Sequence, residues 1–203
     1  MAEKFAEIHV WMFNKIKLQN QWGDYIIEEL KDISQKNQIQ AYVRQNFPFP
    51  SGDLHEIIDY ENIHLWLEKH LKLTERKLAW IVSQVISNPY SQEQLQEIFY
   101  QIGKQHKNVI QPVWVKPSYV YRSITDAMTE GMPCDKANQV ISHDENHLTW
   151  EVSRCMHQPL WEEENMEIAI YYSLRDSWIK GLLEESEFTY HSQHPQYNIY
   201  RKT

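Results

Sequence analysis

Apolar residues recur at intervals of three and four through the first half of the chain, the spacing that lines one face of an α-helix. Trp22, Tyr25, Ile26, Leu30 and Ile33 form the first such set, and a polar break begins at Asn37. In "NFPFPSGD", prolines, a serine and a glycine interrupt regular structure, so "FPFP" reads as a linker between helices. Ile63, Trp66, Leu67, His70 and Leu71 then resume the helical spacing. Thr74 stands where it can cap a further helix carrying Leu78, Ile81, Val82, Val85 and Ile86, closed by Asn88 and Pro89. Ser91 and Gln94 have the form of a capping box, opening a helix with Leu95, Ile98, Phe99 and Ile102 that runs toward Gly103.

Beyond Val109 the pattern changes. "VIQPVWVKPSYVYR" is rich in β-branched and aromatic residues but is broken by Pro112 and Pro117, which suits an edge strand or an extended approach. Ser118 to Glu130 reads equally as helix or strand. From Asn138 the segment "NQVISHDENHLTWEVSRC" predicts a hairpin, with Asp144, Glu145 and Asn146 at the turn and Leu148, Trp150 and Val152 alternating on a buried face. After the acidic loop "WEEEN", Ile168, Tyr171, Tyr172, Arg175, Ile179, Leu182 and Leu183 fit a helix, and "EFTYHSQHPQYNIY" fits a closing hairpin turned near Pro195. The expected fold is α+β: an N-terminal helical half packed on a small antiparallel sheet, with one long helix in the C-terminal half. The expected organisation is a helical region over 1–108 and an α+β ligand-binding region over 109–203, forming one cooperative unit. There is no internal repeat.

Composition narrows the function classes. A chain of 203 residues can bury a real core, and 42% hydrophobic with 24% charged residues is close to a globular average. Only 5 glycines accompany 8 tryptophans and 12 tyrosines, and neither GxGxxG nor GxxxxGK[ST] occurs, so glycine-rich phosphate cradles are excluded. A formal charge of −8 argues against a nucleic-acid partner, because duplex binding needs Lys and Arg to displace counterions. "MAEKFAEIHVWMFNKIKL" mixes charges among its apolar residues, unlike a signal peptide, and no later window approaches the roughly 18 apolar residues of a membrane helix. A soluble, cytoplasmic protein without a membrane partner is expected. Cys134 and Cys155 are too few for a disulfide framework and too far apart for CxxC chemistry, so free thiols are expected.

The stretch "TWEVSRCMHQPLW" holds the densest candidate chemistry. If Leu148, Trp150 and Val152 face the core, the two-residue period turns Arg154 inward and leaves Cys155 and His157 as neighbours on the other face. That pair could ligate a metal or form an imidazole-activated thiolate; a small buried cysteine beside a solvated histidine is the alternative. A buried Arg154 needs an anion, for which Glu167, Asp176 or a ligand carboxylate could serve. His191 and His194 form an HxxH in the last hairpin, with His143 and His147 at the first turn. Imidazoles converging there could hold a metal; solvated turn histidines are the alternative. Glu162, Glu163, Glu164 and Glu167 read as a solvated acidic loop. The aromatic residues of the second half, among them Trp150, Tyr171 and Trp178, could line a pocket for a flat or apolar small molecule, although core packing explains most of them equally well.

The order of elements over roughly Gln139 to Tyr200 resembles the small-molecule-binding domain shared by the four-vinyl reductase family and the L-2-amino-thiazoline-4-carboxylic acid hydrolase family. "NHLTWEVSRC" is similar to a strand ending in Arg-Cys, "SLRDSWIKGLLEE" to the following helix, and "EFTYHSQH" and "QYNIY" to the last two strands; Arg154, Cys155, Trp178 and Gly181 match the pattern. The family's final hairpin carries a glycine and a cysteine where this chain has "HPQYNIY", so the resemblance implies a ligand-binding or sensory role and carries over no catalytic residue or cofactor. Three functions are thus expected in order. The first is a small-molecule-binding or sensory domain using Trp150, Arg154, Cys155, His157, Tyr171 and Trp178. The second is a hydrolase-like enzyme, metal-assisted in one form, using Cys155 with His157 or the His191 and His194 pair. The third is an interaction module with Trp11, Met12 and Trp66 exposed for a partner or for a second copy in a homodimer.

Overall fold

The computed structural model describes residues 5–86 and 88–202. Helix α1 (Glu7–Glu28) starts well ahead of Trp22, and its stripe of Met12, Ile16, Gln19, Trp22 and Ile26 is buried. Tyr25 and Ile33 lie outside that face: Tyr25 is exposed, and Ile33 opens a separate helix, α2 (Ile33–Asn46), after Asp32 caps it by accepting from the backbone N–H of Ser34 and Gln35. The polar run at Asn37 is therefore helical. It buries only Ile39 and Val43, and Tyr42 stacks on Trp80 at 4.1 Å between ring centroids. The "FPFP" linker follows, then the short α3 (Leu54–Ile57).

Thr74 does not start a helix. It lies inside α4 (Ile63–Val85), buried, because the apolar stripe Leu67, Leu71, Leu78, Val82 passes through it without a breaking residue. The capping box at Ser91 and Gln94 forms as expected and opens α5 (Gln92–Ile110), which continues past Gly103. The proline-broken stretch after Val109 makes no strand: residues 111–114 are irregular, and Pro117 opens α6 (Pro117–Ala127), where a fixed φ and a missing N–H cost nothing. Ser118 to Ala127 is thus helix.

The second half holds the strands. β1 (Asn138–His143) and β2 (His147–Val152) form the first hairpin around Asp144 to Asn146, and β3 (Phe188–Gln193) and β4 (Gln196–Arg201) form the last around Pro195. They make one antiparallel sheet in the order β1-β2-β4-β3, with Trp150 paired to Tyr197 and their rings stacked at 5.3 Å. Between the hairpins lie α7 (Gln158–Glu163) and α8 (Ile168–Leu182). The acidic segment is accordingly not a free loop: it is largely α7, and Glu163 and Glu164 pair with Arg76 of α4 at 3.1 and 2.7 Å.

The fold is α+β, with helices concentrated in the N-terminal half. One apolar cluster joins Trp22, Val82 and Phe99 of the helices to Trp150, Trp178 and Ile199 beside and within the sheet, and a smaller cluster gathers Met12, Phe13, Ile16, Leu54 and Leu67. Helices α5 and α8 touch backbone to backbone, since a Cβ on Gly103 would collide with the Trp178 carbonyl oxygen and one on Gly181 with that of Tyr100. That contact sets α8 in place and so directs Tyr171 and Arg175 inward.

Candidate functional site

Four ionisable side chains from four segments meet in the interior. His157, just before α7, donates from Nδ1 to Glu75 Oε1 at 2.9 Å and from Nε2 to Glu130 Oε2 at 3.2 Å. Trp161 Nε1 donates to the same Glu75 oxygen at 2.8 Å. Arg175 of α8 completes the group, with Nη2 3.1 Å from Glu130 Oε1. This last contact is an ion pair whose geometry falls short of a hydrogen bond, so Glu130 Oε1 has no hydrogen-bond partner among the described residues. The Nε and Nη1 of Arg175 and the hydroxyl of Tyr171 are also unpartnered there. The guanidinium lies over the Tyr197 ring at 4.6 Å, and the Tyr171 ring lies 4.0 Å from that of His157.

The electrostatics follow from burial and pairing. Burial opposes charge on the His157 ring, but the Glu75 carboxylate and hydrogen bonds to both glutamates outweigh it and push the pKa up to about 10. Burial likewise opposes charge on Glu130, yet the Arg175 guanidinium and His157 hold it down to about 2. Tyr171 is pushed well up by burial, with the two glutamates acting in the same direction. At neutral pH the centre holds a histidinium and a guanidinium against the Glu130 carboxylate, with Glu75 at the other nitrogen of the imidazolium.

Glu130 also reaches a second feature. With Trp11 and Lys15 of α1, Tyr121 of α6, and Lys136 and Asn138 at the start of β1, it lines a pocket of about 160 Å³. Asn138 Oδ1 is buried there without a hydrogen-bond partner among the described residues. Trp11 Nε1 donates to Asp126 at 2.8 Å, and its ring lies under the Lys15 ammonium at 4.1 Å. Burial pulls Lys15 down to about 8, a fall partly opposed by Glu130 and Asp126.

Of the residues singled out from sequence, His157 and Tyr171 belong to the charged centre, and Trp150 stands behind it, stacked on the Tyr197 ring that Arg175 covers. Cys155 is half-buried and one layer out: its Sγ accepts from Tyr172 Oη at 3.2 Å and from the Gln158 N–H at 3.3 Å. Trp178 faces away, packing on Trp22 and His106. Arg154 is exposed, because β2 ends at Val152 and the two-residue period stops before reaching it. The buried guanidinium is Arg175 instead, and its partner is Glu130 rather than Glu167 or Asp176; the Asp176 carboxylate accepts from Tyr190 Oη at 2.7 Å. His191 and His194 do not converge: His191 is exposed against Tyr200, while His194 packs on Tyr172 and bonds Tyr197 Oη at 2.7 Å. Among the described residues no group of three or more His, Cys, Asp or Glu is arranged to hold a metal ion.

Sequence reasoning missed Glu75, Glu130 and Lys15 and gave Arg175 no role. For three of them a signal existed. Glu75 falls on the α4 stripe four after Leu71, Arg175 on the α8 stripe between Tyr171 and Trp178, and Lys15 next to Ile16 on α1, so each is a charge on an apolar face. Glu130 sits in the loop after α6, where no periodicity marks it. No family model, no curated protein and no solved structure matches the chain.

Proposed function

We propose that the chain is a small-molecule-binding domain of sensory type whose ligand occupies the pocket between α1, α6 and the start of the sheet. The observation that carries this reading is the pocket wall itself: it includes Glu130 and Asn138, each of which carries a buried oxygen, Oε1 and Oδ1, with no hydrogen-bond partner among the described residues. Unpaired buried acceptors cost about 1–3 kcal/mol each, and a ligand that donates to them recovers that cost. Trp11 and Tyr121 supply flat apolar walls, and Glu130 is held in place from behind by His157 and Arg175. The volume suits a compact molecule of few heavy atoms, well under the roughly 300 Å³ at which drug-sized sites begin. Kinship with the four-vinyl reductase and thiazoline-carboxylate hydrolase-like domains, a cytoplasmic location, and the lack of nucleic-acid or membrane partners belong to the same proposal. The net charge of −8 supports the nucleic-acid part, and no helix among the described residues is long and apolar enough to cross a membrane.

Native and denaturing mass spectra of freshly purified protein test the reading. A reproducible extra mass that is lost on denaturation, and reduced in Asn138→Leu, is the expected result. A bare polypeptide mass together with a flat thermal-shift screen of small polar metabolites overturns it. Self-association is a second reading with its own support, since Val109 at the end of α5 and Val113 and Val115 in the segment that follows are all exposed. The patch expected at Trp11, Met12 and Trp66 is not available for it, because Met12 is buried. Sedimentation that stays monomeric at high concentration removes this reading.

A further inference from the structure

Two lysines are buried on the helical side of the core, and their surroundings differ. Lys77 is 3% exposed, and its ammonium donates to Asn20 O at 3.0 Å, Asn20 Oδ1 at 3.2 Å and Asp24 Oδ1 at 2.6 Å. Three donors meet three acceptors, which is how a buried ammonium is ordinarily accommodated. Lys15 is 5% exposed, and its Nζ makes neither a hydrogen bond nor an ion pair among the described residues. It rests on the face of Trp11 and lines the pocket that Glu130, Tyr121, Lys136 and Asn138 share.

We propose that Lys15 is a reactive amine that forms a reversible imine with a small carbonyl compound, an aldehyde or ketone, bound in this pocket. The assignment rests on the pocket being a ligand site and names the chemistry of its ligand. The free amine attacks the carbonyl carbon, a C–N bond forms, and a proton passes from nitrogen to oxygen through water to give the carbinolamine. The carbinolamine then takes up one proton from solvent and its C–O bond breaks, releasing one water molecule and leaving the protonated imine, and no electrons are gained or lost.

The surroundings favour that product over the parent ammonium. The Lys15 ammonium has three N–H donors and no protein hydrogen-bond partner among the described residues, so only solvent in the pocket can match them, whereas a protonated imine keeps the positive charge with only one N–H to match. The charge stays over the Trp11 ring and within the field of Glu130 and Asp126. The fall of Lys15 to about 8 from 10.5 acts in the same direction. At pH 7 it leaves about a tenth of the group as free amine, against roughly 0.03% for an ordinary lysine. Lys136 at the pocket and the Tyr121 phenol, held up by burial and Glu130, complete the ionisable groups around the amine.

Full-length protein is incubated at pH 7 with pyruvate or with butanal, each with sodium cyanoborohydride, and the labelled lysine is located by peptide mass mapping. The expected result is one equivalent of reduced adduct on Lys15, formed at least about tenfold faster than on any exposed lysine, with a pH midpoint near 8 and none on Lys77. Lys15→Arg keeps a cation on Trp11 and cannot form an imine, so a folded Lys15→Arg protein is expected to lose the fast label. Labelling spread evenly over exposed lysines, with Lys15 unmodified by both probes, overturns the proposal. If the same preparation also carries a non-covalently held small molecule, the pocket remains a ligand site and the imine alone has failed.

Discussion

Glu75→Gln tests the buried charge centre most directly. The substitution keeps the side chain's shape and removes the charge facing His157 Nδ1 at 2.9 Å. Although burial opposes charge on that ring, the glutamates hold its pKa at about 10, against 6.5 for an ordinary histidine. The folded chain therefore keeps a proton that the unfolded chain releases, so this contribution is complete below pH 6.5 and is lost as pH rises through 10. At about 1.36 kcal/mol per pH unit, it amounts to roughly 4 kcal/mol at pH 7 and roughly 3 kcal/mol at pH 8. Lys15 acts with the opposite sign, but with a folded value of about 8 it offsets only about 0.4 kcal/mol between pH 7 and 8 and more above, which leaves pH 7 to 8 as the informative window. Urea denaturation followed by tryptophan fluorescence is expected to show wild-type stability falling by about 1 kcal/mol across that window. Glu75→Gln is expected to be about 3–4 kcal/mol less stable at pH 7, in line with the cost of breaking a buried pair, and to show a shallower slope, since Glu130 still faces His157 Nε2. Replacing Glu75 and His157 together by leucine should cost less than the two single changes summed. A flat wild-type profile, or a Glu75→Gln protein within about 1 kcal/mol of wild type, refutes the reasoning.

Acid should act through the other carboxylate. Burial opposes charge on Glu130, but Arg175 and His157 hold it at about 2, so its stabilisation is present above pH 4.5 and lost as pH falls through 2; Glu130→Gln should remove that part of the slope in a circular-dichroism acid titration. Gly181→Ala puts a methyl group against the Tyr100 carbonyl and should cost about 1–3 kcal/mol, lowering Tm by about 2–4 °C per kcal/mol; an unchanged Tm contradicts the backbone contact. Arg154→Ala should leave stability within about 0.5 kcal/mol of wild type, whereas Arg175→Met strands Glu130 and should cost about 3–5 kcal/mol by the same denaturation assay. Equal costs would mean the buried guanidinium has been misassigned.

Local rules account for the parts of the fold that were legible in the sequence. The capping box at Ser91 and Gln94 and the alternation of Leu148, Trp150 and Val152 each depend on residues a few positions apart, and both form as expected. The failures arose where a local signal had more than one meaning. Thr74 has an N-cap residue type, but helix α4 passes through it because no breaking residue separates the run before it, which packs in the smaller apolar cluster, from the run after it, which packs in the larger. Pro117 argued against a strand and equally announced a helix, and only its place at the first helical position decides between them. Arg154 followed from a correct strand extended past its end. The sheet's partner for Tyr197 is Trp150, and β2 has no ladder beyond Val152 to carry the alternation further.

The candidate site was less legible because its meaning lies in pairings between distant segments. Lys15 and Lys77 are the same residue type, each buried in a long helix, and nothing within a few positions separates them. What separates them is what lies opposite. Lys77 meets Asn20 and Asp24, held on α1 by the helix pair α1 and α4, so its three donors are matched. Lys15 meets a loop carrying Glu130 and Gly131 and the start of β1, segments fixed by the sheet and by the buried pairs to His157 and Arg175. Glu130 thus answers to two demands. It neutralises the cations behind it, which holds it ionised and in place, and it forms part of the pocket wall in front. A carboxylate in water would turn toward whichever partner arrived; fixed from behind, it gives the pocket a permanent negative wall beside an unmatched amine, and this juxtaposition makes Lys15, rather than Lys77, the lysine with chemistry to do.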